Sequence, residues 1–297
     1  MELIPDSTAS PNTSERNHQL WLQIAPLAFL LGAVYFSILR GLVGQWWEDP
    51  NYSHGFFIPL FSGWLIWKRR DALRRIAPAP TWTGLGIVLL AMIALLLGVL
   101  GAENFLSRIS LLTLAAGLLI QFRGWAFFRQ VLLPWAVLFL MIPLPSIILN
   151  EISMPLQLLA SRLGSSLIAL VGVPVVREGN VIQLPSLTLD VAEACSGLRS
   201  LVTLVTIGVI YGYVYEPRAV QRLFLILSAF PIAIAANAFR IMIAGLLGEF
   251  WNPDKVEGFL HTFSGVVVFA LSLALLMLLH SVFGRVYRYA QSSGEAA

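Results

Sequence analysis

Apolar runs of roughly 20 residues, each long enough to cross a bilayer as a helix, recur along the chain at 21–44, 53–67, 84–101, 105–121, 127–148, 195–214, 220–248 and 261–282. Nothing else in the sequence restricts the fold so tightly. In hydrocarbon every backbone N–H and C=O must find an internal partner, which leaves helices and closed barrels as spanning structures. Hydrophobic residues make up 58% of the 297, charged residues only 12%, and the mean hydropathy is +0.79, more than a soluble core of this size requires. An all-α polytopic membrane protein with about eight transmembrane helices is expected. The second run is the shortest, and Phe56, Phe57, Phe61, Trp64 and Trp67 suit it to an interfacial aromatic belt. Residues 1–19 carry no signal-peptide pattern and read as a disordered cytoplasmic tail.

Orientation follows from the cations. Lys68, Arg69, Arg70, Arg74 and Arg75 crowd the loop after the second run, which marks it as cytoplasmic. Alternation then puts Arg123, Arg129, Arg218, Arg222, Arg285 and Arg288 inside, while Glu48, Asp49, Glu103, Glu151, Asp190, Glu249 and Asp254 fall outside. Residues 152–172 are nearly long enough to cross, but Arg162 and several serines interrupt them. Ile152, Leu156, Leu159, Leu163 and Leu167 share one helical face, so an amphipathic helix lying on the outer interface is expected there. After it, β-branched residues flank a turn at Glu178, Gly179 and Asn180, and Leu187, Leu189 and Val191 alternate with polar neighbours, the pattern of a small hairpin with a further strand. The expected organisation is a five-helix membrane region (20–148), an outer segment with the amphipathic helix and hairpin (149–193), a three-helix membrane region (194–284) and a cytoplasmic tail (285–297). No internal repeat, phosphate loop or basic nucleic-acid stripe is present, and the pI of about 9.2 reflects the inner-leaflet arginines.

The single cysteine, Cys195, lies in VAEACSGLRS at the start of the sixth run. One cysteine excludes an internal disulfide and a multi-cysteine metal site, and no cofactor is implied. Arg199 follows it by four residues, one turn inside the sixth helix, so both are expected along one helical face. Arg240 lies inside the seventh run with Asn237 three residues before it, and His261 opens the eighth. An arginine at that depth costs at least about 2.5 kcal/mol unless it faces protein or water. The charge-derived orientation puts Cys195, Arg240 and His261 near one face of the membrane. Each has a plain alternative: a small packing residue for the cysteine, an interfacial hydrogen-bonding residue for the histidine. Together they fit a thiol nucleophile, a base to ionise it and a cation for a developing oxyanion.

The segments EACSGLRS, NAFR and HTFSG, in this order on successive helices, closely resemble the signature segments of the exosortases. The likeness continues in NYSHGFFIPL (51–60), FLMIPLPS (139–146) and REGNVIQLPSLTLDVAEACSG (177–197). The resemblance implies a bacterial inner-membrane cysteine transpeptidase, or protease, with its active site facing the periplasm. It would cleave PEP-CTERM-type tails from secreted proteins through a thioacyl intermediate and pass them to a cell-surface acceptor. Such a tail carries a short motif, a transmembrane helix and a basic end. It implies Cys195, Arg240 and His261 as catalytic residues, with Glu193 and Asn237 in supporting roles. Arg199 and His54 of YSHG stand as candidates for orienting the substrate tail.

Other readings stay open at the level of sequence. A transporter would show inverted repeats and polar groups through the whole bilayer, and neither is visible. A non-catalytic assembly factor for exopolysaccharide or surface-protein export, or a hydrolytic protease, remains compatible with the same residues.

Overall fold

The computed structural model describes residues 13–191, 197–216, 218–250 and 259–294, with side chains for all of these except 13–25, 27–28, 259–264 and 286–294. Two compact units are formed, Met1–Pro143 and Leu144–Ala297.

The first unit contains α1 (Thr13–Glu48), a 3-10 turn (Ser53–Phe56), α2 (Phe57–Lys68), the short α3 (Arg70–Arg74), α4 (Thr83–Leu100), α5 (Asn104–Arg123), α6 (Trp125–Val137) and a second 3-10 turn (Leu138–Met141). The expected tail lies outside the described residues as far as residue 12, and α1 is already helical from Thr13. Glycine sets the tight α4–α5 hairpin. A Cβ at Gly84 would stand 2.3 Å from the Gln121 backbone nitrogen, one at Gly98 would stand 2.4 Å from Ser107 Oγ, and one at Gly117 would meet Val88 N at 2.9 Å. Without side chains at these points the two backbones close on each other, the packing that lipid-embedded helices favour.

Proline within helices strands a carbonyl, and the first unit shows how one is recovered. Pro134 in α6 has no N–H for the Gln130 carbonyl; Arg69 Nη1 donates to that oxygen instead, at 2.8 Å. Ser62 Oγ of α2 donates to the Pro134 carbonyl (2.8 Å), and Trp46 Nε1 of α1 donates to Met141 O (2.8 Å). Tyr35 and Ser110, both buried, are 2.9 Å apart; the serine hydrogen is committed to Ser107 O at 2.7 Å, so the tyrosine donates.

The second unit contains α7 (Ser146–Leu170), three short strands, α8 (Leu198–Tyr215), α9 (Ala219–Phe250) and α10 (Phe259–Gly294). The strands β1 (Val176–Glu178), β2 (Val181–Gln183) and β3 (Thr188–Asp190) form an antiparallel sheet in the order β1-β2-β3. Glu178 pairs with Val181, so Gly179 and Asn180 make a two-residue turn with Gly179 at φ +64, the glycine-first arrangement that matches strand twist. Ile182 and Val191 point into a core shared with Ala160 and Ile168 of α7 and Ile241 of α9. Ser161 of α7 donates to Gly179 O at 2.9 Å, which ties the turn to the helix.

Three departures from the sequence reading stand out. Six helices are long and apolar enough to span, or seven if Trp125–Met141 and Ser146–Leu170 count as one broken span, among the described residues; the expected eight is not reached. The run at 53–67 yields only the 12-residue α2, about 18 Å long and short of a hydrocarbon core. The run at 127–148 is cut by the extended backbone around Pro143 and Pro145, and α7 starts at Ser146 rather than at residue 152. The segment read as an amphipathic outer helix lies within α7 and is helical. Its buried side is Ser153, Gln157, Ala160, Ser161, Gly164, Ser165 and Ile168, while Ile152, Leu159 and Leu163 are exposed. A Cβ on Gly164 would meet Ile241 Cγ2 at 2.6 Å, and one on Gly245 would meet Ile168 Cδ1 at 2.8 Å. Advancing four residues on one helix advances four on the other, so α7 runs alongside the candidate span α9 in the same direction. Small and weakly polar residues face protein because they allow that approach, while Leu156 packs against the α8–α9–α10 core.

Gly84→Val is expected to destabilise the protein by about 1–3 kcal/mol or more through overpacking. Gly86→Val, on the same helix where an added Cβ meets nothing within 4 Å, controls for propensity. Thermal unfolding in detergent should separate the two; equal melting temperatures would mean the α4–α5 contact is not tight.

Candidate functional site

The α9 helix organises the second unit because α7, α8 and α10 all pack on it. Its face at Ala233, Asn237, Ile241 and Gly245, spaced four apart, is buried throughout. Arg240 lies ten residues before Phe250, about 15 Å along the axis, and is half-buried.

Two glycines report how the sequence motifs meet. Gly197 is left-handed, φ +77, and a Cβ there would stand 2.8 Å from Asn237 Cγ. The backbone two residues after Cys195 therefore lies directly against the Asn237 side chain. Gly265 of α10 lies against Arg240: an added Cβ would be 3.7 Å from Cζ and 3.7 Å from Nη2. His261 is the third residue of α10 and one turn before Gly265, so the two positions share a helical face. NAFR is thus flanked by CSG on one side and HTFSG on the other.

Cys195 and Glu193 lie outside the described residues, as does the side chain of His261. Arg199 is the second residue of α8 and is exposed. The expected shared face of Cys195 and Arg199 involves a residue outside the described ones; α8 begins at Leu198, and its preceding residue, Gly197, is left-handed. A right-handed helix cannot be continued through that residue.

His54 belongs to the first unit. Its Nε2 lies 3.2 Å from Leu140 O, and since a carbonyl only accepts, that nitrogen carries the proton. Burial pushes its pKa below the ordinary histidine value, opposed by backbone carbonyls. Together with the Trp46–Met141 bond, and with Gly55 lying where any Cβ would strike Trp46 (2.4 Å to Nε1), this joins NYSHG to FLMIPLP. These two sequence segments meet each other within their own unit.

The structure also shows polar groups that the sequence reading left without a role. Glu249, at the end of α9, accepts from Ser186 N and Ser186 Oγ, both at 3.0 Å, and so pins the loop between β2 and β3 to that helix. At the opposite end of α8, Glu216 contacts His280 Nε2 of α10, and Tyr211 OH lies 3.3 Å from the other ring nitrogen. The only signal for this cluster in the sequence is a histidine near the end of an apolar run. A partner 64 residues away has no periodicity to betray it.

All six segments resembling the exosortases fall inside residues 46–278, the stretch that a family model described as transmembrane exosortase matches. The chain belongs to the exosortase family. No curated protein and no solved structure matches it. This exosortase is a multi-pass membrane protein whose signature segments are gathered by glycine contacts, two of them on α9.

Gly197→Ala and Gly172→Ala should separate backbone strain from contact at this site. Both glycines are left-handed, but a Cβ at Gly172 meets nothing within 4 Å, so its replacement costs only the conformational term of roughly 1–2 kcal/mol. Gly197→Ala is expected to cost more, and Asn237→Ala to remove the excess in a double-mutant cycle. Unfolding in detergent reads both, and additive effects would show that Gly197 and Asn237 are not in contact.

Proposed function

We propose that this exosortase is a membrane cysteine transpeptidase. It removes the C-terminal sorting tail of secreted proteins and transfers the new C-terminus to a cell-surface acceptor. The observation that carries the reading is the meeting of three motifs on α9: Asn237 against Gly197, beside the Cys195 segment, and Arg240 against Gly265, one turn from His261.

In this reading His261 takes the proton of Cys195, and the thiolate attacks the scissile carbonyl. Arg240 holds the oxyanion with its planar fork. Collapse of the tetrahedral intermediate expels the tail as an amine, which receives the proton from His261, and leaves a thioester. An acceptor amine or hydroxyl then gives its proton to His261 and displaces Cys195. Asn237 and Glu193 position the nucleophile segment, and Arg199 and His54 orient the tail. The substrate's own transmembrane helix lodges in the bilayer beside the enzyme and delivers the cleavage point to the membrane face bearing Cys195. That face is the periplasmic side of a bacterial inner membrane by the distribution of arginines and by family. The organisation proposed for the chain is a cytoplasmic N-terminal tail, an N-terminal membrane region, an outer sheet segment and a catalytic three-helix region of α8, α9 and α10.

Cys195→Ala should leave the tail uncut while the protein still inserts; normal processing in that variant would end the proposal. Arg240→Lys keeps charge but loses the fork, and cleavage is expected to slow by about 10²–10³-fold. In intact cells a membrane-impermeant thiol reagent should label Cys195 with an apparent pKa below the free-thiol value of ~8.5, rising in His261→Ala. An ordinary pKa indifferent to His261 favours a non-catalytic assembly factor, and a mass spectrum showing a bare C-terminus on the product favours a hydrolase.

A further inference from the structure

The first unit holds a polar cleft that this function does not use. It lies between the end of α1 and the start of α5, has a volume of about 940 Å³, and is lined by Arg40, Gln45, Glu48, Asp49, Asn104 and Arg108 together with two glycines, Gly41 and Gly44. At both glycines an added Cβ would meet nothing within 4 Å, so the space is open.

The arginines are the unusual part. Arg108 is only 6% exposed, and Nη1 donates to Gln45 Oε1 at 2.7 Å. One neutral amide satisfies one of its five N–H groups, and Glu103 supplies an opposite charge nearby. Arg40 lies within the candidate span Phe29–Glu48, and among the described residues it makes no hydrogen bond or ion pair. Trp47, 83% exposed, marks the interfacial level at the end of α1, and Arg40 lies seven residues deeper, about 10 Å. On the same face, Phe36 and Val43 are exposed to lipid one turn below and one turn above it. A guanidinium at that depth calls for an anion or water.

We propose that this cleft is a binding site for the headgroup of one phospholipid, with its phosphate on Arg40 and Arg108 and an acyl chain along Phe36 and Val43. Two guanidinium forks suit a phosphate's oxygens. The apolar flank argues for a lipid over free phosphate, because inorganic phosphate has nothing to place against Phe36 and Val43. Glu48 and Asp49 at the mouth add the remaining specificity: they complement an ammonium, so a phosphoethanolamine headgroup fits the charge layout better than a phosphoglycerol one.

The test uses the purified full-length chain in detergent with phosphatidylethanolamine, phosphatidylglycerol or inorganic phosphate added, and native mass spectrometry to count what stays bound. Wild type is expected to retain one phosphatidylethanolamine. Arg40→Gln should weaken that retention about tenfold, the ratio one charge-assisted hydrogen bond supports. Gly44→Leu, which fills the cleft without touching a charge, should do the same. Glu48→Gln with Asp49→Asn should shift the preference toward phosphatidylglycerol. Unchanged retention in both Arg40→Gln and Gly44→Leu would overturn the proposal, as would displacement of the lipid by millimolar phosphate, which would make the cleft a free-anion site. None of these outcomes depends on tail cleavage.

Discussion

Hydrocarbon offers a backbone no water, and that requirement explains where this fold is regular and where it is not. The long helices satisfy themselves. The irregular points are the prolines and breaks, and around α6 each freed carbonyl is met by a side chain from another element: Arg69 on Gln130 O, Ser62 on Pro134 O, Trp46 on Met141 O. Such bonds do more than repair. They fix α2 and α1 against α6 and the turn after it at defined registers. One family segment supplies the Met141 carbonyl, and its Leu140 carbonyl meets His54 of another, NYSHG, so these residues serve the packing of the first unit.

The same economy operates in the second unit through absent side chains. Asn237 and Arg240 have room on α9 because Gly197 and Gly265 face them. A larger residue at Gly197 would force it or Asn237 to shift, whereas a Cβ at Gly265 would only reach contact distance. The glycines in CSG and HTFSG are therefore explained by what they face, and the polar residues of NAFR by the company the glycines permit.

Much of this was legible in the sequence. Residues 176–190 announced a sheet through β-branched flanks and a Glu-Gly-Asn turn, and the paired strands run within those limits. The span count was less legible, since hydropathy counts apolar residues without seeing that Pro143 and Pro145 cut a run or that Phe57–Lys68 is too short alone. In α7 the apolar stripe announced the helix, but not that Ser153, Ser161, Gly164 and Ser165 on its other side carry the packing. At the site, the start of α8 at Leu198 after a left-handed Gly197 could not be read, because glycine does not declare its φ.

The two ends of α8 are held by different physics. At one end Glu216 and His280 join α8 to α10 directly, with Tyr211 on the far side of the ring, among residues mostly buried from solvent. A carboxylate–imidazole contact with a phenol on the other ring nitrogen is directional and tolerates little sliding. At the other end α8 and α10 are located through α9, by the close approach of Gly197 to Asn237 and the looser contact of Gly265 with Arg240. A Cβ at Gly197 could not be placed against Asn237 without a shift, whereas one at Gly265 would stand at ordinary contact distance from Arg240, so at that end the shape of α9 sets how close each neighbour comes.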